Sequence, residues 1–154
     1  MDKREVYDYS KRYYRSLHEG ANLKYYKINI RESDLAIGVD QGSYTDSLVS
    51  WSYKILRRLR MDLEDYIKRQ PEFQSSLVPI PLLAGAPEIA RRMNGAAWAA
   101  GVGPMAAVAG AIAEMLGEQL LKSCREVIVE NGGDIFLSSE SNRIIAVFAG
   151  PSRF

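Results

Sequence analysis

The chain has 154 residues, 47% hydrophobic and 25% charged, proportions that allow a buried core and exclude disorder as the default state. Its 20 Lys and Arg against 19 Asp and Glu leave a net charge of +1, which excludes the basic excess that drives nonspecific nucleic-acid binding. The single cysteine, Cys124, excludes an intrachain disulfide and points to a reducing, cytoplasmic compartment.

The first residues, Met1 to Glu5, are charged and lead into no apolar run, so no secretory signal is read. Tyr7, Tyr9, Tyr13, Tyr14, Tyr25 and Tyr26 crowd the N-terminal segment. Tyrosines among Lys and Arg can stack on bases. Half-wet β-strands account for them better, because the ring is apolar and its tip polar. Leu23–Ile30 and Asp34–Val39 are the strand candidates, with turns at Glu19–Asn22 and Arg31–Ser33.

Ser43 followed by Asp46 suggests a capping box for a long helix. Leu48, Trp51, Ile55, Leu59 and Leu63 recur at helical spacing, and Pro71 ends the helix by Gln70. Lys54, Arg57, Arg58 and Arg60 make a basic patch, read as a solvated face balanced by Asp62, Glu64 and Asp65 in preference to an anion site. Ser75–Ala86, with Pro79 and Pro81, reads as an extended connector containing at most one edge strand.

Pro87 opens a second helix whose buried face is Ile89, Met93 and Ala97, with Gly101 as its stop. A third helix runs from Pro104 to about Leu121 and is apolar nearly all round until Glu114. The longest apolar stretch, Val102–Ala113, contains Pro104 and falls short of the about 20 residues a membrane span needs. Ala106, Ala109, Gly110 and Ala113 form a strip that lets a backbone or a flat ligand approach. Strands follow at Glu126–Glu130, Ile135–Leu137 and Arg143–Phe148.

Two glycine loops are candidate sites. Gly101–Met105 leads into a helix N-terminus, where free N–H groups attract phosphate, although a plain packed helix start is the favoured account. Asn131–Asp134 reads first as a hairpin turn. The alternative has the glycines exposing amides to a ligand, while Glu130 and Asp134 hold ribose hydroxyls or help place a metal ion. His18 reads as solvated, Cys124 as packed, and no His/Cys spacing suggests zinc.

Two stretches, AGVGPMAAVAGAIAE at 100–114 and REVIVENGGDIFL at 125–137, resemble the ApbE superfamily, in its uncharacterised branch from anaerobic archaea and bacteria. Shorter matches lie at Glu32–Leu35, Leu63–Ile67, Pro71–Phe73 and Pro87–Ile89. The resemblance implies the N-terminal part of a T-fold-like domain and an FMN transferase-related protein that binds FAD with magnesium. It places Gly103, Pro104, Met105, Glu130, Asn131, Gly132, Gly133 and Asp134 in the cofactor pocket. It also implies a link to sulfur assimilation toward homocysteine. The metal ligands of such enzymes lie in a later region, so the chain is expected to be incomplete at its C-terminus and neither catalytic nor metal residues are assigned.

The expectation is therefore one α+β domain over 1–154, a mixed sheet covered by three helices near 43–69, 87–100 and 104–122. An open sheet edge implies a homo-oligomer or a partner that completes the sheet. The functional expectation is flavin-nucleotide binding. The alternative is a non-catalytic assembly module in sulfur metabolism, with nucleic-acid binding ranked below both.

Overall fold

A computed structural model describes residues 22–145. The order is β1 (Leu23–Ile30), β2 (Ser33–Asp40), α1 (Asp46–Arg69), α2 (Glu72–Ser75), α3 (Glu88–Ala100), α4 (Val108–Leu120), β3 (Val127–Asn131) and β4 (Asp134–Ser138), with 3-10 turns at Gln41–Ser43 and Pro104–Ala107. The fold is α+β. The described sheet is antiparallel throughout, in the order β1-β2-β3-β4, which corrects the expectation of a mixed sheet.

Alternation decides which side of the sheet is covered. The register pairs Ile28 with Leu35, Ile37 with Val129 and Val39 with Val127, so these side chains share one face. All of them are buried in the main core together with residues of the helices. Helix α1 lies over β1, α4 lies over β3 and β4, and α3 packs against α1 and α4.

In α1 the buried positions are Leu48, Ser52, Leu56, Leu59, Leu63 and Tyr66. Trp51 and Ile55, expected on this face, are only half-buried. The face is turned by one position because the Tyr26 hydroxyl reaches Ser52 Oγ at 2.8 Å, while Ser52 donates to the Leu48 carbonyl at 2.8 Å. A small hydroxyl inside the helix therefore marks where the strand docks. Thr45 caps this helix, accepting the Leu48 N–H at 3.0 Å, and not Ser43 as the spacing predicted. Ser43 instead donates to Asp40 Oδ2 at 2.8 Å.

The helix ends at Arg69, as Pro71 requires. No strand is found over Ser75–Ala86. The short helix α2 instead pins the connector through Phe73, fully buried and edge-on to Tyr66 at 5.2 Å. The Tyr66 hydroxyl accepts the Leu83 N–H at 3.0 Å, which ties the far end of the connector to α1. Gly101 ends α3 at φ 70°, as its position implied. Arg143 to Ile145 form no strand, and the rest of the segment expected there lies outside the described residues, as do Glu19 to Ala21 of the first turn and His18.

Candidate functional site

The first expected loop is built for packing. Gly103 is buried, and a Cβ there would collide with the Ser76 carbonyl. Its lack of a side chain admits the connector, not a ligand. Pro104 is buried behind it, at the first position of the 3-10 turn. Of this trio only Met105 reaches an open cleft.

The second loop is a two-residue hairpin turn closed by the Asn131–Asp134 pair. Gly132 and Gly133 take φ 63° and 100°, conformations that residues with side chains rarely adopt, and both face solvent. Glu130 is 2% exposed and accepts the Gly133 N–H at 2.8 Å. That amide is already taken, so the paired glycines do not offer two bare donors to a ligand. Asn131 donates through Nδ2 to the Ala109 carbonyl at 3.1 Å. A Cβ at Gly110 would sit 3.5 Å from Asp134 Oδ2, so the small-residue strip of α4 seats the hairpin itself.

What remains open is a cleft beside this corner, with a volume of about 610 Å³. Met105, Asn131 and Gly132 line it, whereas Gly103, Pro104, Glu130, Gly133 and Asp134 do not. Its apolar wall is Leu63 and Ile67 from α1 and Val108 and Ile112 from α4. Its polar rim is Arg31, Glu32, Ser33, Arg60, Glu64 and Lys68. Asp134 lines a separate hollow of about 330 Å³ with Arg92 and Glu114. The structure thus divides the expected pocket loop between two depressions.

Arg60 is the best-held cation at the cleft. Its side chain is 15% exposed. Nη1 donates to Ser33 Oγ at 2.6 Å, and Nη2 donates to Glu32 at 2.8 Å and to Glu64 at 3.0 Å. Among the described residues its Nε meets no acceptor. Arg31 approaches the same Glu64 oxygen at 3.4 Å. The Glu32 carboxyl lies below its ordinary value, held there by its own backbone N–H and then by Arg60. Three cations face two carboxylates here, over an apolar wall. Such a surface suits a flat apolar molecule with an anionic end.

The sequence had assigned Arg60 to a solvated basic face. A better signal was available in the spacing: Arg60, Glu64 and Ile67 follow one another at four and three residues, a stripe adjoining Leu59 and Leu63. Arg31 and Lys68 gave no signal, because only the folded chain brings the β1–β2 turn to the end of α1.

At the opposite end of the sheet, Asp40 and Glu126 anchor loops. Burial alone would raise the Asp40 carboxyl, but Ser43, the amides of Glu126 and Arg125 and the Arg125 charge together hold it below the ordinary value. Glu126 is likewise lowered, by the Ser139 hydroxyl first, then by the Glu140 amide and by Arg143 at 2.6 Å. Burial pushes the Cys124 thiol up, which disfavours the reactive thiolate. Among the described residues no three His, Cys, Asp or Glu side chains come together as metal donors. The expected magnesium therefore has no set of ligands there. No single described helix is long and apolar enough to cross a membrane, and α3 and the helical run after it bend by 108°.

Relatives place this chain in a wider group. A UPF0280 protein of Methanocaldococcus jannaschii is 41% identical over 127 residues, covering 82% of this chain and 50% of the relative. One from Methanocella arvoryzae is 39% identical over 127 residues, with the same shares. One from Methanopyrus kandleri is 38% identical over 122 residues, covering 79% of this chain and 48% of the relative. The chain thus spans about half the length of these curated relatives. The match also overturns the resemblance to the ApbE flavin transferases, because the family model that fits residues 15–154 is a different one. By that match the chain belongs to the family described as AbpE bacteria.

Proposed function

We propose that the protein binds a small molecule with a flat apolar body and an anionic end, of the nucleotide class, in the cleft between α1, α4 and the two hairpin turns. The observation that carries this reading is the juxtaposition of a held guanidinium, Arg60, with an apolar wall in a cleft of about 610 Å³. That volume lies within the range of ordinary ligand pockets, about 300–1,000 Å³. Flavin nucleotides are the first candidates. The isoalloxazine ring matches the wall of Leu63, Ile67 and Ile112, and the phosphate matches the cationic rim. The test is a thermal-shift and fluorescence titration of the chain with FAD and FMN. At 100 times its dissociation constant a ligand adds about 2.7 kcal/mol of stability. A folded sample that shows no shift with either flavin removes them as ligands. A cytoplasmic location accompanies this reading, supported by the one buried, unpaired cysteine.

A second reading, an assembly module, draws on the exposed side chains of Leu77, Val78 and Trp98. Sedimentation of the purified chain separates the two. A stable oligomer that takes up no flavin favours assembly.

A further inference from the structure

The contacts of Arg60 are unequal, and the inequality suggests how the cleft chooses its occupant. Ser33 is 5% exposed, and its hydroxyl oxygen is fixed where Arg60 meets it. Glu64 stands one helical turn from Arg60 on the same helix and is 40% exposed in its side chain. Glu32 differs: its side chain is 82% exposed, and it stands on the two-residue turn between β1 and β2. That turn carries Arg31 at φ 52°, the positive φ of a non-glycine residue. Glu32 is therefore the contact that can leave without disturbing the rest.

We propose that Glu32 occupies, on Arg60, the place of the ligand's anionic group, so that the cleft carries its own competitor and accepts phosphate in preference to singly charged groups. This rests on the ligand-binding reading above. An exposed ion pair contributes little, because water screens it and two long side chains must be held. A phosphate offers up to two charges and three acceptor oxygens. It satisfies the Nη2 donor that Glu32 releases with a more highly charged acceptor than the carboxylate it replaces. A neutral ligand gives Arg60 nothing in return for Glu32, so it gains no such advantage. Displacing Glu32 also leaves Arg31 and Arg60 sharing the one Glu64 carboxylate, while Lys68 stays paired with Asp65, which favours a dianion further.

The test titrates FMN and riboflavin, which differ by one phosphate, into the full chain and into Glu32→Gln and Arg60→Gln. The expected result is that Glu32→Gln tightens FMN about two- to fivefold, the factor that corresponds to one exposed ion pair, and leaves riboflavin unchanged. Arg60→Gln weakens FMN and spares riboflavin. The inference is overturned if Glu32→Gln leaves FMN affinity unchanged or moves both flavins equally. If neither flavin binds the wild-type chain, the flavin reading fails by itself, and inorganic pyrophosphate in a thermal shift decides this one. Greater stabilisation of Glu32→Gln than of wild type upholds it. Equal stabilisation, or none, overturns it.

Discussion

The Asp40 carboxylate accepts the backbone N–H of Arg125 through Oδ1 at 2.8 Å, closing a span of 85 residues. The same oxygen receives the Glu126 N–H at 3.3 Å, so the end of β2 holds the chain entering β3. One side chain thereby joins two strands separated in sequence by all the helices. Asp40→Ala strips two amides of their acceptor and is expected to cost about 2–3 kcal/mol, measured by urea unfolding. The folded carboxyl lies below its ordinary 3.8. This stabilisation is therefore present above that pH and lost as pH falls through the lowered value. Asp40→Asn is expected to show a shallower loss of stability in acid than the wild type.

At the other pH extreme, Tyr26 titrates late. Burial pushes its phenol up to about 12, against a smaller opposing contribution from its bond to Ser52. A raised folded value means stability that is complete below pH 10 and lost as pH climbs toward 12. Tyr26→Phe is expected to cost about 1 kcal/mol at neutral pH and to soften the alkaline transition, read by circular dichroism.

The two glycine loops are expected to respond differently to alanine. At Gly103 the new methyl meets the Ser76 backbone, which has no side-chain freedom to yield. Gly103→Ala is expected to lose about 2–3 kcal/mol. At Gly133 nothing lies within 4 Å, so only the φ of 100° is strained. Gly133→Ala is expected to lose about 1 kcal/mol. Equal losses at the two sites contradict the packing account of Gly103.

The helix cap gives a further check. Thr45→Ala is expected to lower stability by about 1 kcal/mol, since the Leu48 N–H then has no side-chain acceptor. A chemical-denaturation midpoint unchanged from wild type contradicts Thr45 as the cap.

Binding at the cleft is expected to weaken with salt. Lys68, whose side chain is 75% exposed at the rim and 2.7 Å from Asp65, contributes mainly through its field. Lys68→Ala is expected to reduce FMN affinity and the slope of that affinity against salt, leaving riboflavin unaffected. An unchanged slope assigns the anion to Arg60 and Arg31 alone.

The expected site was legible only in part, for a local reason. Met105, Asn131 and Gly132 stand out in sequence as loop residues flanking small side chains, and all three reach the cleft. Gly103 and Gly133 stand out in the same way, yet one admits a neighbouring backbone and the other makes a turn. A glycine announces that something comes close or that φ is positive. It does not say whether the visitor is a ligand or the chain itself. The resemblance to flavin transferases gave the same two loops one common role, and the hairpin docked on α4 separates them.

The elements themselves were set by short-range chemistry. Strand-forming composition yields β1 from Leu23 to Ile30, and the Pro71 restriction and Gly101 stop the helices where they end. Those are preferences of neighbouring residues, and they act before any fold exists. Sheet direction, the turned face of α1 and the cationic rim of the cleft were decided by the tertiary structure. Antiparallel pairing of β2 with β3 rests on contacts across more than 80 residues, such as that from Asp40 to Arg125. Likewise, Arg60 ceases to be a solvated cation only because Ser33, 27 positions away, is folded against it. Burial of a charge depends on which distant surface covers it, and the spacing of Arg60 beside Leu59 and Leu63 shows that it adjoins the core without naming that surface.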